Sequence, residues 1–191
     1  FTEGEHGLLE DAWPVVAFVP ALRPENLGDP VFKKRHGLRY AYVAGAMANG
    51  ITSVEMVRSM GLAGMLGMFG AAGLPLNELE EAVVRLKREL DGSPFGSNLI
   101  HSPSDPEHEL AVAELYLRHE IRLVSASAYL NLTLPLVYYR VKGVHRDENG
   151  DVVCPNKVIG KVSRVEVARR FMSPPPEKIL KALVRSEERR V

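Results

Sequence analysis

Short apolar runs separated by helical repeats organise most of the chain. Five runs of apolar and small residues show little polar alternation, as expected of strands that are buried on both faces. They lie at 41–46, 65–70, 95–100, 122–127 and 157–162. Leucine and valine recur at helical spacing between several of these runs, most clearly from Leu76 to Leu90. The alternation predicts an α/β protein with parallel strands joined by right-handed crossovers.

Three helix-start signals follow predicted strands. Each places Ser or Thr three residues before Glu, which is the pattern of a capping box. They are Thr52–Glu55, Ser104–Glu107 and Ser163–Glu166, and Ser163 is expected to serve only as a cap. Five strand–helix units could form a complete open sheet or part of an eight-unit barrel, which typically needs ~250 residues.

The first 40 residues do not follow this alternation of strands and helices. Four prolines interrupt residues 1–40, which predicts an irregular lead-in that packs on the domain formed by 41–191. Trp13 and Phe18 are expected to anchor it there.

Two later segments also depart from it. Asn149-Gly150 lies between two β-prone runs, which predicts a hairpin insertion at 143–156, before the fifth strand. A proline-rich linker and a basic amphipathic helix, at about 177–190, are expected to form residues 174–191.

The composition is that of an ordinary soluble globular protein, with 46% hydrophobic and 25% charged residues. Basic and acidic residues both number 24, so no net field favours nucleic acid or acidic lipid. The single cysteine, Cys154, excludes an internal disulfide and suits a reducing compartment. No apolar run approaches the ~20 residues that span a bilayer, and no signal sequence opens the chain. We therefore expect a cytoplasmic protein without a membrane partner.

Standard phosphate and metal motifs do not occur in the sequence. Glycines recur at every third position from Gly61 to Gly73, which fits either a phosphate loop or, as we prefer, close strand–helix packing. The six histidines lack metal-ligand spacing, so no metal is expected. Cys154 has no neighbouring His or second Cys and is interpreted as a spectator thiol.

Small and polar residues gather where the predicted strands end, at the edge where α/β proteins bind ligands. Asn98 lies inside an apolar strand, where its amide requires either a ligand or neighbouring backbone as partner. Lys161 is expected to be buried, and a buried ammonium needs an anion, an electron-rich acceptor or a structural ion pair. His101 follows the third strand and is a candidate ligand contact at this rim.

Two motifs at predicted strand ends lie in this order along the chain: Gly45-Ala46-Met47-Ala48-Asn49-Gly50-Ile51 and Phe95-Gly96-Ser97-Asn98-Leu99. They resemble motifs of the nitronate monooxygenase-like flavoproteins. Two later motifs are Leu123-Val124-Ser125-Ala126-Ser127 and Val158-Ile159-Gly160-Lys161-Val162-Ser163. With these the resemblance is closer to the PfaD family, the trans-acting enoyl reductases of polyunsaturated fatty acid synthases and trans-acyltransferase polyketide synthases. It covers about Leu27 to Leu183.

The resemblance implies an FMN-binding (β/α)8 TIM barrel, of which about five of eight units are present in this chain. The residues that it implies for FMN binding are Gly45, Ala46, Met47, Ala48, Asn98, Ser125 and Lys161. Relatives carry their phosphate loops and a catalytic Gly-Gly-His segment after later strands. This sequence contains no Gly-Gly-His, so the catalytic residue is expected outside the chain, and the chain alone is not expected to hold FMN tightly.

The implied activity is reduction of the α,β-double bond of carrier-protein-bound polyketide or fatty acyl thioesters by NADPH through FMN. The expected partners are an acyl carrier protein, the remainder of the barrel from the same or a second chain, and a second copy in a homodimer. Two alternatives stay open, namely a nitronate monooxygenase-like FMN oxidase and a non-catalytic synthase fragment whose basic C-terminal helix meets carrier proteins.

Overall fold

Five parallel strands form the main sheet of the computed structural model, which describes residues 17–188, with side chains up to residue 185. The seven described strands are β1 (Val43–Ala44), β2 (Leu66–Phe69), β3 (Phe95–Ile100), β4 (Leu123–Ser127), β5 (His145–Arg146), β6 (Val152–Val153) and β7 (Lys157–Gly160), of which β5 and β6 form a separate two-stranded sheet. The order in the main sheet is β1-β2-β3-β4-β7, and each neighbouring pair is parallel. Because a doubly wound sheet reverses its order at a switch point, this sequential order indicates part of a barrel.

Helices connect most of the strands. The described helices are α1 (Pro30–His36), α2 (Val54–Leu62), α3 (Leu76–Leu90), α4 (Pro106–Arg118), α5 (Leu134–Val141), α6 (Val165–Phe171) and α7 (Glu177–Glu188). The predicted α/β alternation is therefore confirmed. Among the described residues, no helix is long and apolar enough to cross a membrane.

The three predicted capping boxes were each placed one residue too early. Ser53 caps α2 by accepting the Met56 N–H, while Asp105 caps α4 by accepting the His108 N–H. Asp105 stands directly before Pro106 at the first helical position, which Pro favours. Arg164 precedes α6 without a side-chain cap, so the prediction of Ser163 as a cap is wrong.

Alternate residues of the strands face two different cores. Leu99, Val124 and Ala126 pack against the connecting helices in the larger core. Leu66, Met68 and Leu123 lie on the opposite face, where Phe32 and Leu38 of the N-terminal region cover one end of the sheet. We call this opposite face the inner face, because the wall of a barrel encloses it.

The lead-in and the hairpin differ in how they match the predictions. Phe18 is 80% exposed, so its assignment as an anchor is wrong, and Trp13 lies outside the described residues. Strands β5 and β6 pair antiparallel across a turn in which Gly150 has a φ of 82°. That left-handed conformation suits glycine and explains the Asn-Gly signal. Whether this hairpin is an insertion into an eight-unit barrel stays a prediction.

Candidate functional site

Asn98 and Ser125 lie side by side on the inner face. They are register partners in the β3–β4 pair, and each is at most 6% exposed. The Asn98 Oδ1 accepts a hydrogen bond of 2.9 Å from the Ser127 hydroxyl, rather than pairing with neighbouring backbone. Its Nδ2 has no hydrogen-bond partner among the described residues, which leaves an amide donor available to a ligand on this face.

Tyr116 fixes the end of β3 from the helix side of the sheet. Its hydroxyl donates to the Asn98 carbonyl at 2.7 Å and lies 2.7 Å from the Ser97 hydroxyl. Burial raises the pKa of Tyr116, so the phenol keeps its proton and remains a donor. The backbone that carries the Asn98 side chain is therefore held by a group on the other face of the sheet.

The segment 45–48 is held in shape by Thr52, which is fully buried. The Thr52 hydroxyl accepts from the Met47 N–H at 2.8 Å and donates to the Gly45 carbonyl at 2.9 Å. Thr52 was predicted as part of a capping box, but its hydroxyl serves this preceding segment instead. The loop is thus closed by side-chain bonds before any ligand is bound.

Gly70 allows the same segment to approach the end of β2 closely. A Cβ at this position would lie 1.7 Å from the Met47 carbonyl oxygen, which no side chain could tolerate. Gly67, earlier in β2, faces the Val57 backbone, where a Cβ would lie 2.8 Å from the Val57 Cα. These contacts support close packing, not a phosphate loop, as the reason for the regularly spaced glycines.

The backbone of 45–48 offers free polar groups at small residues. Among the described residues, no hydrogen bond uses the Ala46 N–H and C=O or the Ala48 N–H. Met47 is 45% exposed, whereas Ala46 packs against the inner-face core. A flat ring could therefore contact the small residues of this segment and could receive backbone hydrogen bonds.

Lys161 does not lie in the environment that the sequence predicted. It follows β7, where its N–H donates to the Ala126 carbonyl at 2.9 Å and continues the ladder. Strand alternation places it on the face that carries Ser125, but the residue is exposed. The expectation of a buried ammonium is wrong for this chain, because β7 has a strand neighbour on only one side among the described residues.

His101 lies at the rim after β3 and is held by a carboxylate that sequence reasoning missed. Its Nδ1 is 2.9 Å from Oε2 of Glu109, and its ring stacks on Tyr129 with centroids 5.3 Å apart. Glu109 is 2% exposed. Its spacing from Val112, Ala113 and Tyr116 places it on the buried face of α4, and this was the available signal.

The buried carboxylate of Glu109 remains ionised. Burial would raise the pKa of Glu109, but hydrogen bonds from Thr133, the Ser102 backbone, His101 and Tyr129 outweigh it and hold the pKa below its ordinary value. Burial and the neighbouring carboxylate raise the pKa of Tyr129, so the phenol stays a donor.

Two cavities flank the end of the sheet. A cleft of about 330 Å³ lies between the loop after β2 and the start of α4, and its lining includes Asn98, Ser102 and Glu109. A larger cavity of about 540 Å³ lies on the helix side, between α5 and α6, and is lined mainly by apolar residues such as Leu136 and Phe171. Of the predicted site residues, Asn98 lines the smaller cleft, together with Leu99 and Val112 of the helix-side core.

A sequential parallel sheet of this kind places the chain among the α/β proteins that contain part of a barrel. No protein-family model matches the chain. The chain is 47% identical over 161 residues to the polyketide biosynthesis protein PksE of Bacillus subtilis. This alignment covers 84% of this chain and 21% of PksE. It is 41% identical over 163 residues to a polyunsaturated fatty acid synthase polypeptide of a Thraustochytrium species, covering 85% of this chain and 11% of that protein.

A solved structure agrees with these sequence matches. The crystal structure of the enoyl reductase domain of MlnA, from the macrolactin biosynthesis cluster of Bacillus amyloliquefaciens, aligns with a TM-score of 0.82 and 44% identity. The alignment covers 85% of this chain and 37% of that chain. The chain thus spans about a fifth or less of these two curated relatives. The predicted resemblance to the PfaD-like enoyl reductases of polyketide and polyunsaturated fatty acid synthases is confirmed.

Proposed function

We propose that this chain forms part of a trans-acting enoyl reductase that binds FMN on the inner face and uses NADPH to reduce acyl thioesters on a carrier protein. The observation that carries the proposal is the meeting of free donors at one sheet edge, in a fold that aligns with an enoyl reductase domain. The residues fit a flavin, since three of the four residues in the segment 45–48 are Gly or Ala and the Asn98 amide has a free donor.

Bound FMN would supply hydride transfer from NADPH to the β-carbon of the unsaturated thioester. The backbone of Ala46 and Ala48 would contact the ring, with Gly45 and Met47 beside it. Asn98 would donate to a ring acceptor, and Ser125 would add a hydroxyl on the same face. Lys161 would approach the flavin from solvent, where its charge would favour the reduced, anionic ring.

The full-length enzyme tests this proposal, because the chain covers 37% of the aligned enoyl reductase chain. Flavin should be released on denaturation as FMN, and NADPH oxidation without oxygen should depend on an enoyl thioester. Absence of thioester-dependent NADPH turnover would refute the proposal, and oxygen uptake driven by a nitronate would favour the oxidase alternative.

A matched pair of variants tests the site itself. Asn98→Leu should lose most of the bound flavin, because it removes the free amide from the inner face. Ser97→Ala, on the helix side of the same strand, should retain it. Equal flavin contents in the two variants would place the cofactor elsewhere.

A further inference from the structure

A single carboxylate joins the loops that follow β3 and β4. Oε2 of Glu109 accepts from the His101 ring at 2.9 Å and from the Ser102 N–H at 3.0 Å. Oε1 accepts from the hydroxyls of Tyr129 and Thr133, at 3.0 Å and 2.7 Å. Each oxygen therefore has two donors, which is about the full capacity of an ionised carboxylate.

This arrangement fixes which nitrogen of His101 carries a proton. An ionised carboxylate only accepts hydrogen bonds, so Nδ1 must be the donor. In the neutral ring, Nε2 is then an acceptor that points away from Glu109. The side chain is 29% exposed, and Nε2 has no hydrogen-bond partner among the described residues.

His101 is not needed to tie the loops together. Ser102, Tyr129 and Thr133 already connect Glu109 to both of them. The imidazole adds an oriented acceptor at the rim, next to the cleft that Ser102, Glu109 and Asn98 help to line. The cleft lies between the loop after β2 and the start of α4, and Asn98 and Leu99 of β3 form part of its wall.

A thioester carried on a pantetheine arm would offer hydrogen-bond donors to this acceptor. Such an arm is a narrow chain with two amide N–H donors between the thioester and the phosphate. Resting on the proposed function, we propose that His101 is a substrate-binding residue whose Nε2 accepts a hydrogen bond from a pantetheine amide. Glu109 is the residue that positions it. This bond lies outside the reacting atoms, so it contributes equally to ground-state and transition-state binding.

Two substrates and two variants test the inference in the full-length enzyme. The substrates are an enoyl pantetheine thioester and an S-ethyl thioester of the same acyl group, which has no amide. His101→Leu should raise the KM for the pantetheine thioester about three- to tenfold with kcat unchanged, as expected for one lost hydrogen bond. Its KM for the ethyl thioester should stay within about twofold of the wild-type value. His101→Gln, whose carbonyl can replace the Nε2 acceptor, should recover part of the loss.

A purely structural role for His101 predicts a different result. The KM for both thioesters would then change equally, or Gln would rescue no better than Leu, and either outcome would overturn the inference. Tyr129→Phe serves as the control, since it removes one donor to Glu109 and keeps the His101 acceptor. Wild-type enzyme that oxidises no NADPH with either thioester would instead refute the proposed function, so the two failures are distinguishable.

Discussion

Thr52 should control flavin binding without touching the flavin. Thr52→Val keeps the shape of the side chain but removes the hydroxyl that bonds the Met47 N–H and the Gly45 carbonyl. Each hydrogen bond is worth roughly 0.5–1.5 kcal/mol. Because Gly45 and Met47 are themselves exposed, water can reach part of the vacated backbone. We therefore expect a loss of about 1–3 kcal/mol in the free energy of unfolding.

The assay compares Thr52→Val with Thr52→Ser in the full-length enzyme. The serine variant keeps the hydroxyl and loses one buried methyl group, at a cost of about 1 kcal/mol. Denaturant unfolding should thus show both variants as destabilised. Flavin titration should separate them, with Kd weakened about tenfold for valine, or 1.4 kcal/mol, and at most about twofold for serine. Equal flavin affinity in the two variants would refute the role assigned to the hydroxyl.

Three other perturbations test the remaining parts of the site. Gly70→Ala should weaken flavin binding because its Cβ would displace the Met47 carbonyl, whereas Gly67→Ala should lower the melting temperature through Val57 and leave flavin affinity unchanged. The pKa of Glu109 lies below its ordinary value of 4.5, so its stabilisation is present above that pH and is lost as the pH falls below it. The difference in the free energy of unfolding between the wild type and Glu109→Gln should therefore shrink in acid. A difference that stays constant from pH 7 to pH 3 would contradict this. The purified 191-residue chain should neither bind FMN stoichiometrically nor stay monomeric, because Tyr42, Val43 and Met47 are 57%, 40% and 45% exposed at one sheet edge. Gel filtration with flavin absorbance checks this, and a monomer with one FMN would contradict it.

The sequence predicted the strands because a parallel strand buried on both faces leaves a continuous apolar run. It also placed Asn98 and Ser125 at neighbouring strand ends, and the register confirms that they are paired. The helix starts were predicted less accurately than the strands, because two possible capping side chains are adjacent at Thr52-Ser53 and at Ser104-Asp105. Only the fold decides which of the two side chains turns toward the helix.

The contacts that hold the site depend on partners that are distant in sequence. Glu109 meets Tyr129 and Thr133 across 20 and 24 residues, so no local pattern could reveal the cluster. The burial of Lys161 depends in the same way on the strand that lies beside β7. The position of a lysine within an apolar run indicates which face of the sheet carries its side chain. The neighbouring strand determines whether water reaches that face.

The described part of the site is held in place by groups that a ligand on the inner face would not need to contact. Tyr116 fixes Asn98 from the helix side, Thr52 closes the segment 45–48, and Glu109 joins the two rim loops. Each is buried and meets its hydrogen-bond partners without a ligand. The conformational entropy of these groups is therefore lost on folding and not on binding. This is how a preorganised site gains affinity. Removing the hydroxyl of Tyr116 or Thr52 should accordingly change stability and flavin affinity together. Removing the carboxylate of Glu109 should change stability and the thioester KM, whereas variants of His101 should change only the thioester KM.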